Sequence, residues 1–146
     1  MRYDPSTNPL NSNEWAFPML EIIHIASFAV TVGTIAIVDL RMLGAGIRRL
    51  TPSQLLKSID LWTQLGLLAA VMSGIFLVTT DPLNYLRNPA FRFKLACLAA
   101  AIVYNYTLHR HVANSGTSGP RSKLTAAISI LLWLSVVFGG IFYAFI

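Results

Sequence analysis

Four long apolar segments follow one another along the chain, separated by short polar connections. The segments are 17–38, 61–79, 91–109 and 124–146. A membrane-spanning helix needs about 20 predominantly apolar residues, and the third segment reaches that length only if Arg92 and Lys94 extend their charges toward the interface. The pattern predicts an all-α fold, an integral membrane four-helix bundle that forms a single domain over residues 1–146.

Composition supports a membrane protein. Hydrophobic residues make up 55% of the 146 residues and charged residues 12%, whereas charged residues make up about 25% of soluble domains. The net charge of +5 does not indicate nucleic-acid binding, because the basic residues lie beside the ends of the spans, where they set orientation. We therefore expect the lipid bilayer as a partner and no nucleic acid.

Basic residues are divided unequally between the two sides of the predicted bundle. The connections after the first and third spans carry Arg41, Arg48, Arg49, Lys57, Arg110, Arg121 and Lys123, and the opposite side carries Arg2, Arg87, Arg92 and Lys94. Because lysine and arginine are enriched in cytoplasmic connections, this distribution predicts a multi-pass protein with both termini outside the cytoplasm.

Turn and capping residues mark the ends of the predicted helices. Residues 1–13, rich in proline and turn formers, predict a mostly irregular N-terminal arm. The glycines at 44 and 46 end the first helix, and Thr51-Pro52-Ser53-Gln54 resembles a capping box that starts the second. Asn88-Pro89 caps the third helix, and the glycines and proline within 114–120 end it.

Small residues four apart occur in every predicted span, where they allow helix backbones to approach closely. The sets are Ala29/Gly33, Gly66/Ala70/Gly74, Ala96/Ala100 and Ser135/Gly139. We expect these residues to lie at the contacts between helices.

Glu21 and His24 lie one turn apart on the same face of the first span, although a charge at the centre of a membrane helix costs about 2.5–3.5 kcal/mol. Lys94 lies near the start of the third span, which runs in the same direction, and is therefore predicted at the depth of Glu21. The three residues would form one cluster in the outer half, in which His24 titrates or binds a metal. The alternative is a Lys94 that reaches the interface and a His24 bonded to a neighbouring carbonyl.

A second polar group gathers near the inner ends of the first and third spans. Its members are Asp39, Arg41, Asp60, Asn105, His109, Arg110 and His111. Most of them lie at the membrane boundary, so they are interpreted as solvated anchors with one or two Asp–Arg pairs, or else as a secondary polar site. Asn105 lies deeper and needs a partner.

The two histidines His24 and His109 suggest a haem with two histidine ligands. Their depths along the two helices differ by eleven residues, or about 16 Å, whereas two nitrogens on one iron are about 4 Å apart. One haem bridging both is therefore disfavoured. The models left are a five-coordinate haem on His24, a haem with Lys94 or another subunit's residue opposite, and a haem shared at a dimer interface.

Three motifs carry a resemblance to known proteins. They are Trp15-x-Phe17-Pro18-x-x-Glu21-x-x-His24, Asp39-Leu40-Arg41-x-Leu43-Gly44 and Asn88-Pro89-x-Phe91-x-x-Lys94. Together they resemble a family of small, poorly characterised bacterial four-helix membrane proteins. More distantly, the positions of His24, Arg41 and Lys94 look like those of CopD and HemJ-type membrane proteins.

HemJ-type proteins are implicated in protoporphyrinogen oxidation and haem binding, and CopD-like proteins are associated with copper. The resemblance implies a bacterial inner-membrane location, with His24 as a haem ligand and Lys94 essential nearby. For copper import, methionines should share a path with His24, but Met19, Met42 and Met72 do not line up with it.

The expected function is the binding of b-type haem by His24 for electron transfer or tetrapyrrole redox chemistry. Glu21 would orient the imidazole or relay a proton, and Lys94 would balance charge or hold a haem propionate. The chain would work as a homo-oligomer or within a larger membrane redox complex. The alternative is a cofactor-free accessory subunit of a larger membrane complex. A small proton-coupled transporter is a third hypothesis, for which the middle of the bundle offers few polar residues.

Overall fold

A computed structural model describes residues 4–46, 49–116 and 119–145. The structure is 86% helical, and no strand occurs in these three ranges. The predicted all-α membrane bundle is therefore confirmed. Arg2 and Arg48 of the predicted charge distribution, residues 117–118 of the predicted turn and Ile146 of the fourth span lie outside the described residues.

The helical segments follow one another with short connections. In chain order they are α1 (Pro9–Ser12), α2 (Ala16–Met42), α3 (Pro52–Thr80), α4 (Pro82–Arg87), α5 (Pro89–Tyr104), α6 (Arg110–Asn114) and α7 (Pro120–Tyr143). Helices α2, α3 and α7 are each long and apolar enough to cross a membrane. Their lengths of 27, 29 and 24 residues correspond to about 36–44 Å, compared with about 30 Å of hydrocarbon core.

The third predicted span is not one regular α-helix. Helix α5 passes without a break into a π-helical turn, Asn105–His109, which continues into α6. Hydrogen bonds in such a turn close over one more residue than in an α-helix. The three segments together cover residues 89–114. We call this continuous segment and the helices α2, α3 and α7 the four rods of the bundle. No glycine or proline marks the π turn, so the pattern of apolar residues did not predict it.

The helix ends follow the predicted signals. After α2, Gly44 and Gly46 have φ angles of 88° and 76°, a left-handed conformation that glycine adopts without strain. At the start of α3, the Thr51 hydroxyl accepts from the Gln54 N–H, while the Gln54 side chain accepts from the Thr51 N–H. This is the predicted capping box, and the predicted Asn-Pro cap opens α5.

The N-terminal arm is more ordered than its composition predicts. It contains a 3-10 turn, Pro5–Thr7, and helix α1, so the prediction of a mostly irregular arm is wrong. The side-chain amides of Asn8 and Asn11 donate to the carbonyl oxygens of Thr79 and Thr80 at the end of α3. Asparagines that indicate a loop in the sequence therefore attach the arm to the bundle.

Both described ends of the chain lie at one end of the bundle. The arm contacts the end of α3. Near the end of α7, Tyr143 stacks on Tyr85 of α4, with ring centroids 4.7 Å apart and an interplanar angle of 2°. We call this the termini end and the other the opposite end, which carries the connections from α2 to α3 and from α6 to α7.

The rods pack as two pairs. Helix α2 packs along α3, and α5 along α7; α2 also contacts α7, whereas α3 and α5 make few or no close contacts. Gly66 and Gly74 lie against α2, and Gly139 lies against α5. The sets Ala29/Gly33 and Ala96/Ala100 are exposed, so the prediction that they mediate contacts within the bundle is wrong. A seam between α3 and α5 is left open.

Candidate functional site

His24 on α2 is half-buried against α3, in the half of the bundle next to the termini end. Its Nδ1 lies 2.8 Å from the carbonyl oxygen of Ala70 and 3.1 Å from Oγ of Ser73. A carbonyl oxygen only accepts hydrogen bonds, so Nδ1 carries the proton of the neutral ring and Nε2 presents its lone pair. The backbone of α3 therefore fixes both the tautomer and the direction of the ring.

Lys94 on α5 reaches the other ring nitrogen. Its Nζ lies 3.4 Å from His24 Nε2 and 5.9 Å from the ring centroid of Phe28, a distance at which an ammonium is attracted to an aromatic face. The side chain is half-buried. Within the described residues no carboxylate pairs with Lys94, so the imidazole is its hydrogen-bonding partner.

Glycines on α3 and α7 make room for this pair. A Cβ added to Gly74 would lie 3.0 Å from His24 Cε1, and one added to Gly139 would lie 3.0 Å from Lys94 Cβ. A Cβ added to Gly140 would lie 3.3 Å from the ammonium nitrogen itself. The neighbouring helices thus lack a side chain where His24 and Lys94 lie, as expected for small residues at membrane helix contacts.

The pair borders the seam between α3 and α5. Beside it lies a cavity of about 20 Å³, walled by apolar side chains, which has room for about one water molecule. Two of its wall residues, Leu67 and Val71, also line a wider cleft of about 290 Å³ along the same seam, near Gln64 and Tyr106. His24 and Lys94 therefore lie at one end of a largely apolar cleft.

Glu21 does not join His24 and Lys94. It is exposed, and no ion pair or hydrogen bond links it to either residue in the described part of the chain. Burial raises the pKa of Tyr85, and the nearby Tyr143 and then the charge of Glu21 raise it further. The carboxylate thus lies toward Tyr85, because residues three apart still differ by about 60° around a helix. The structure brings together two of the three predicted residues.

At the opposite end, Asp39 of α2 bonds to side chains of two other rods. Its Oδ1 lies 2.5 Å from His109 Nε2, and its Oδ2 accepts a hydrogen bond of 2.8 Å from the Ser129 hydroxyl on α7. Each of these three residues is only 1% exposed. The interpretation of Asp39 and His109 as solvated anchors is therefore wrong, since the helices extend beyond them and cover them.

The other members of the second polar group lie apart from Asp39. Asp60 pairs with Arg110 at 2.5 Å, with both side chains partly exposed, which confirms one predicted Asp–Arg pair. Arg41 Nε donates to the carbonyl oxygen of Leu50 and braces the connection after α2. Asn105 is buried within the π turn. The group thus divides into a buried cluster around Asp39, a pair nearer the surface and three separate side chains, Arg41, Asn105 and the exposed His111.

A family of unknown function, DUF6644, matches residues 17–146. The chain belongs to this family. The match covers all four rods and both polar sites of the DUF6644 chain, and it confirms the expected membership of an uncharacterised family. No curated protein and no solved structure matches the chain.

The two buried histidines of this DUF6644 protein are far apart. His109 contacts Asp39, which lies fifteen residues beyond His24 on the same helix, or about 22 Å at 1.5 Å per residue. The structure therefore agrees with the argument from helix depth that one haem does not bridge them. Each histidine belongs to a site of its own.

Ser129 is the residue that the sequence did not single out. A serine inside an apolar span is ordinary, because its hydroxyl can bond to a carbonyl of its own helix, as Ser135 does with Leu131. Ser129 instead donates to Asp39. Only the packing of α7 against α2 distinguishes the two serines of the DUF6644 chain.

Proposed function

We propose that this protein binds b-type haem through His24 and takes part in electron transfer or tetrapyrrole redox chemistry. The proposal includes a bacterial inner-membrane location with both termini outside the cytoplasm. It rests on the contact between His24 Nε2 and Lys94 Nζ, which joins ionisable side chains of two rods in an otherwise apolar half. Ionisable residues within membrane spans mark functional sites as a rule.

The donor atoms fit a haem iron. An imidazole whose Nδ1 donates to a backbone carbonyl presents Nε2 to a metal, which is a common arrangement of metal-ligating histidines. Among the described residues no three histidine, cysteine or acidic side chains come together as a metal site. Haem iron needs only axial ligands from the protein, so a single histidine is sufficient. When bound, the haem would supply one-electron transfer.

The space beside His24 requires a rearrangement. The cavity at the ring has room for about one water. The adjoining cleft of about 290 Å³ is wide open and smaller than ligand pockets, which span about 300–1,000 Å³. Because α3 and α5 are hardly in contact, widening the seam between them would break few contacts. Lys94 Nζ would have to leave Nε2, which its flexible stem permits, and would then be free to hold a propionate.

The resemblance to HemJ-type proteins supports the tetrapyrrole part of the proposal. His24 and Lys94 are the positions that carry this resemblance, and they are the two residues in contact. Arg41, the third position, braces the end of α2 and would therefore act on the fold rather than on the haem.

A second candidate is a cofactor-free accessory subunit of a larger membrane complex. It is favoured by the fact that both ring nitrogens of His24 have protein partners, which leaves neither free. The exposed small-residue sets of α2 and α5 would then lie against partner helices or a second copy of the chain. His24 and Lys94 would serve only to hold α2, α3 and α5 together.

An absorption spectrum separates the two candidates. The protein is purified in mild detergent from cells supplied with haem, and oxidised and dithionite-reduced spectra are compared for wild type, His24→Ala and His111→Ala. His111 is exposed at the opposite end and serves as the matched control. We expect a Soret band that shifts on reduction in wild type and His111→Ala and is absent in His24→Ala.

Two results would contradict haem binding by His24. A band that survives in His24→Ala would assign the haem to other residues. A colourless wild type that always copurifies with the same proteins would establish the accessory subunit instead.

A further inference from the structure

The cluster of Asp39, His109 and Ser129, which we call the Asp39 layer, has no role in the proposed haem function. It lies across the bundle between two apolar clusters. Ile35, Ala101, Trp133 and Val136 are on the side of the termini end, and Val38, Met42, Leu55, Leu56, Val112, Ala113 and Ala126 are on the other side. An unpaired ion in a layer so enclosed would lose its hydration without compensation, so the charges of the layer need partners within it.

One atom of the layer is without a hydrogen bond. Both carboxylate oxygens of Asp39 are bonded, but His109 Nδ1 is buried and has no partner among the described residues. Buried polar atoms of native proteins are bonded in the large majority of cases. A purely structural Asp–His pair would be expected to satisfy this nitrogen as well.

The net charge of the Asp39 layer depends on whether His109 Nδ1 carries a proton. The contact between His109 Nε2 and Asp39 Oδ1 holds one proton, and with that proton alone the layer carries a charge of −1. A second proton on Nδ1 makes an imidazolium–carboxylate pair with no net charge, wherever the bridging proton lies. Because Nδ1 has no partner among the described residues, taking up this proton breaks no hydrogen bond.

Other ionisable groups on the surrounding rods are already engaged or exposed. Arg41 on α2 bonds to a backbone carbonyl, Asp60 on α3 pairs with Arg110 of α6, and the Tyr104 hydroxyl on α5 donates to the Thr125 carbonyl on α7. His111 is exposed. None of these groups competes for the proton at Nδ1.

The order of the hydrogen bonds shows that Ser129 is not arranged as a catalytic nucleophile. In serine hydrolases the histidine lies between the serine and the acid, so that it can take the serine proton. Here the acid lies between them, because Ser129 donates to Asp39 rather than to His109. Ser129 thus modulates the basicity of the carboxylate.

We propose that the Asp39 layer is a proton-binding site, in which His109 Nδ1 takes up one proton and Asp39 compensates its charge. The proton is taken from water and returned to water. His109 is the last residue of the π turn, which sets the direction of its ring, and such turns occur frequently at functional sites. The proposal is independent of haem binding at His24.

The test is nitrogen NMR of the full-length protein, labelled with 15N-histidine and embedded in lipid nanodiscs. The chain has 3 histidines, and the signal that disappears in His109→Gln identifies His109. We expect Nδ1 to change from unprotonated to protonated in a single transition as the pH falls from about 9 to about 5.

Two substitutions should shift the midpoint in opposite directions. Asp39→Asn removes the compensating charge and should lower the midpoint by at least one pH unit, a tenfold loss of proton affinity. Ser129→Ala removes a donor from the carboxylate, which becomes more basic, and should raise the midpoint by less. Ser135→Ala, on the same helix, is the control and should leave it unchanged.

A merely structural layer would give other results. Nδ1 that stays in one protonation state across this pH range overturns the proposal, and so does a common direction of shift in Asp39→Asn and Ser129→Ala. If Asp39→Asn does not fold, the comparison of Ser129→Ala with Ser135→Ala decides. Equal midpoints in these two variants overturn the proposal.

Discussion

His24 and His109 are both removed from water within the same bundle, yet their surroundings differ in kind. Nδ1 of His24 is held by a neutral backbone carbonyl, and its other nitrogen faces the Lys94 ammonium. Nε2 of His109 is held by the Asp39 carboxylate, and its other nitrogen faces no partner among the described residues. His24 borders an open seam between helices, whereas His109 lies between two closed apolar clusters.

The difference shows how access and charge compensation determine what a buried histidine can bind. At an open seam, helices can separate and admit a ligand much larger than water, and a cation nearby favours an anionic group on that ligand. In a closed layer only a proton can be exchanged without disrupting the packing.

Removal of Asp39 should have the largest effect on stability. Asp39→Ala leaves the buried His109 N–H and the Ser129 hydroxyl without the acceptor they share. Breaking such a buried pair costs about 3–5 kcal/mol, so the free energy of unfolding should fall by about that amount. Asp60→Ala breaks a partly exposed pair and should cost at most about 1 kcal/mol. Unfolding in detergent, followed by circular dichroism, measures both. Similar losses for the two variants would mean that the Asp39 layer is more hydrated than its burial indicates.

Replacement of Lys94 should instead raise the free energy of unfolding. Lys94→Met keeps the length of the side chain and removes a half-buried charge that has no acidic partner among the described residues. We expect a gain of about 1–2 kcal/mol, because the relief of desolvation exceeds the lost contact with His24. The exposed Lys57 provides the control Lys57→Met, which should be nearly neutral. A destabilised Lys94→Met would make this lysine a structural residue.

Much of the fold could be predicted from local signals. Span lengths depend on runs of apolar residues, and helix ends depend on a few residues such as the capping box at Thr51 and the glycines after α2. His24 and Lys94 were placed at similar depth by counting residues along two helices that run in the same direction. Such counts work because the rise per residue of a helix is constant.

What the sequence could not show depends on rotation around the helices and on helix geometry. The spacing of three residues places Glu21 on the same helix face as His24, but the angle of about 60° between them around α2 turns its exposed side chain away. The π turn changes the direction of His109 without any glycine or proline to announce it. The span lengths place Asp39 at the membrane boundary, whereas helix extensions past it, rather than its own neighbours in sequence, bury it. Tertiary packing determines each of these features.

The same substitution in the two sites tests the role of charge. Ser129 donates to a carboxylate, and Ser73 lies beside a neutral nitrogen while also bonding to its own helix. Hydrogen bonds to charged groups are stronger than neutral ones, although in membranes they average about 0.6 kcal/mol. We expect Ser129→Ala to cost about 1–2 kcal/mol and Ser73→Ala about 0.5 kcal/mol in detergent unfolding. A larger loss for Ser73→Ala would mean that the hydrogen bonds of Ser73, rather than the one from Ser129 to Asp39, contribute more to stability.

The smallest effect on stability, and the most specific to His24, should come from a methyl group. The added Cβ of Gly74→Ala would lie 3.0 Å from His24 Cε1, so the ring must move by a few tenths of an ångström. Alanine favours a helix by about 1 kcal/mol over glycine, and this gain should offset most of the strain. Gly33→Ala, with no atom near the added Cβ, should keep the full gain. We expect the 15N signal of His24 to shift in Gly74→Ala and to stay unchanged in Gly33→Ala, because only the former contacts the ring. An unchanged His24 signal in Gly74→Ala would mean that contact with α3 does not set the position of the imidazole.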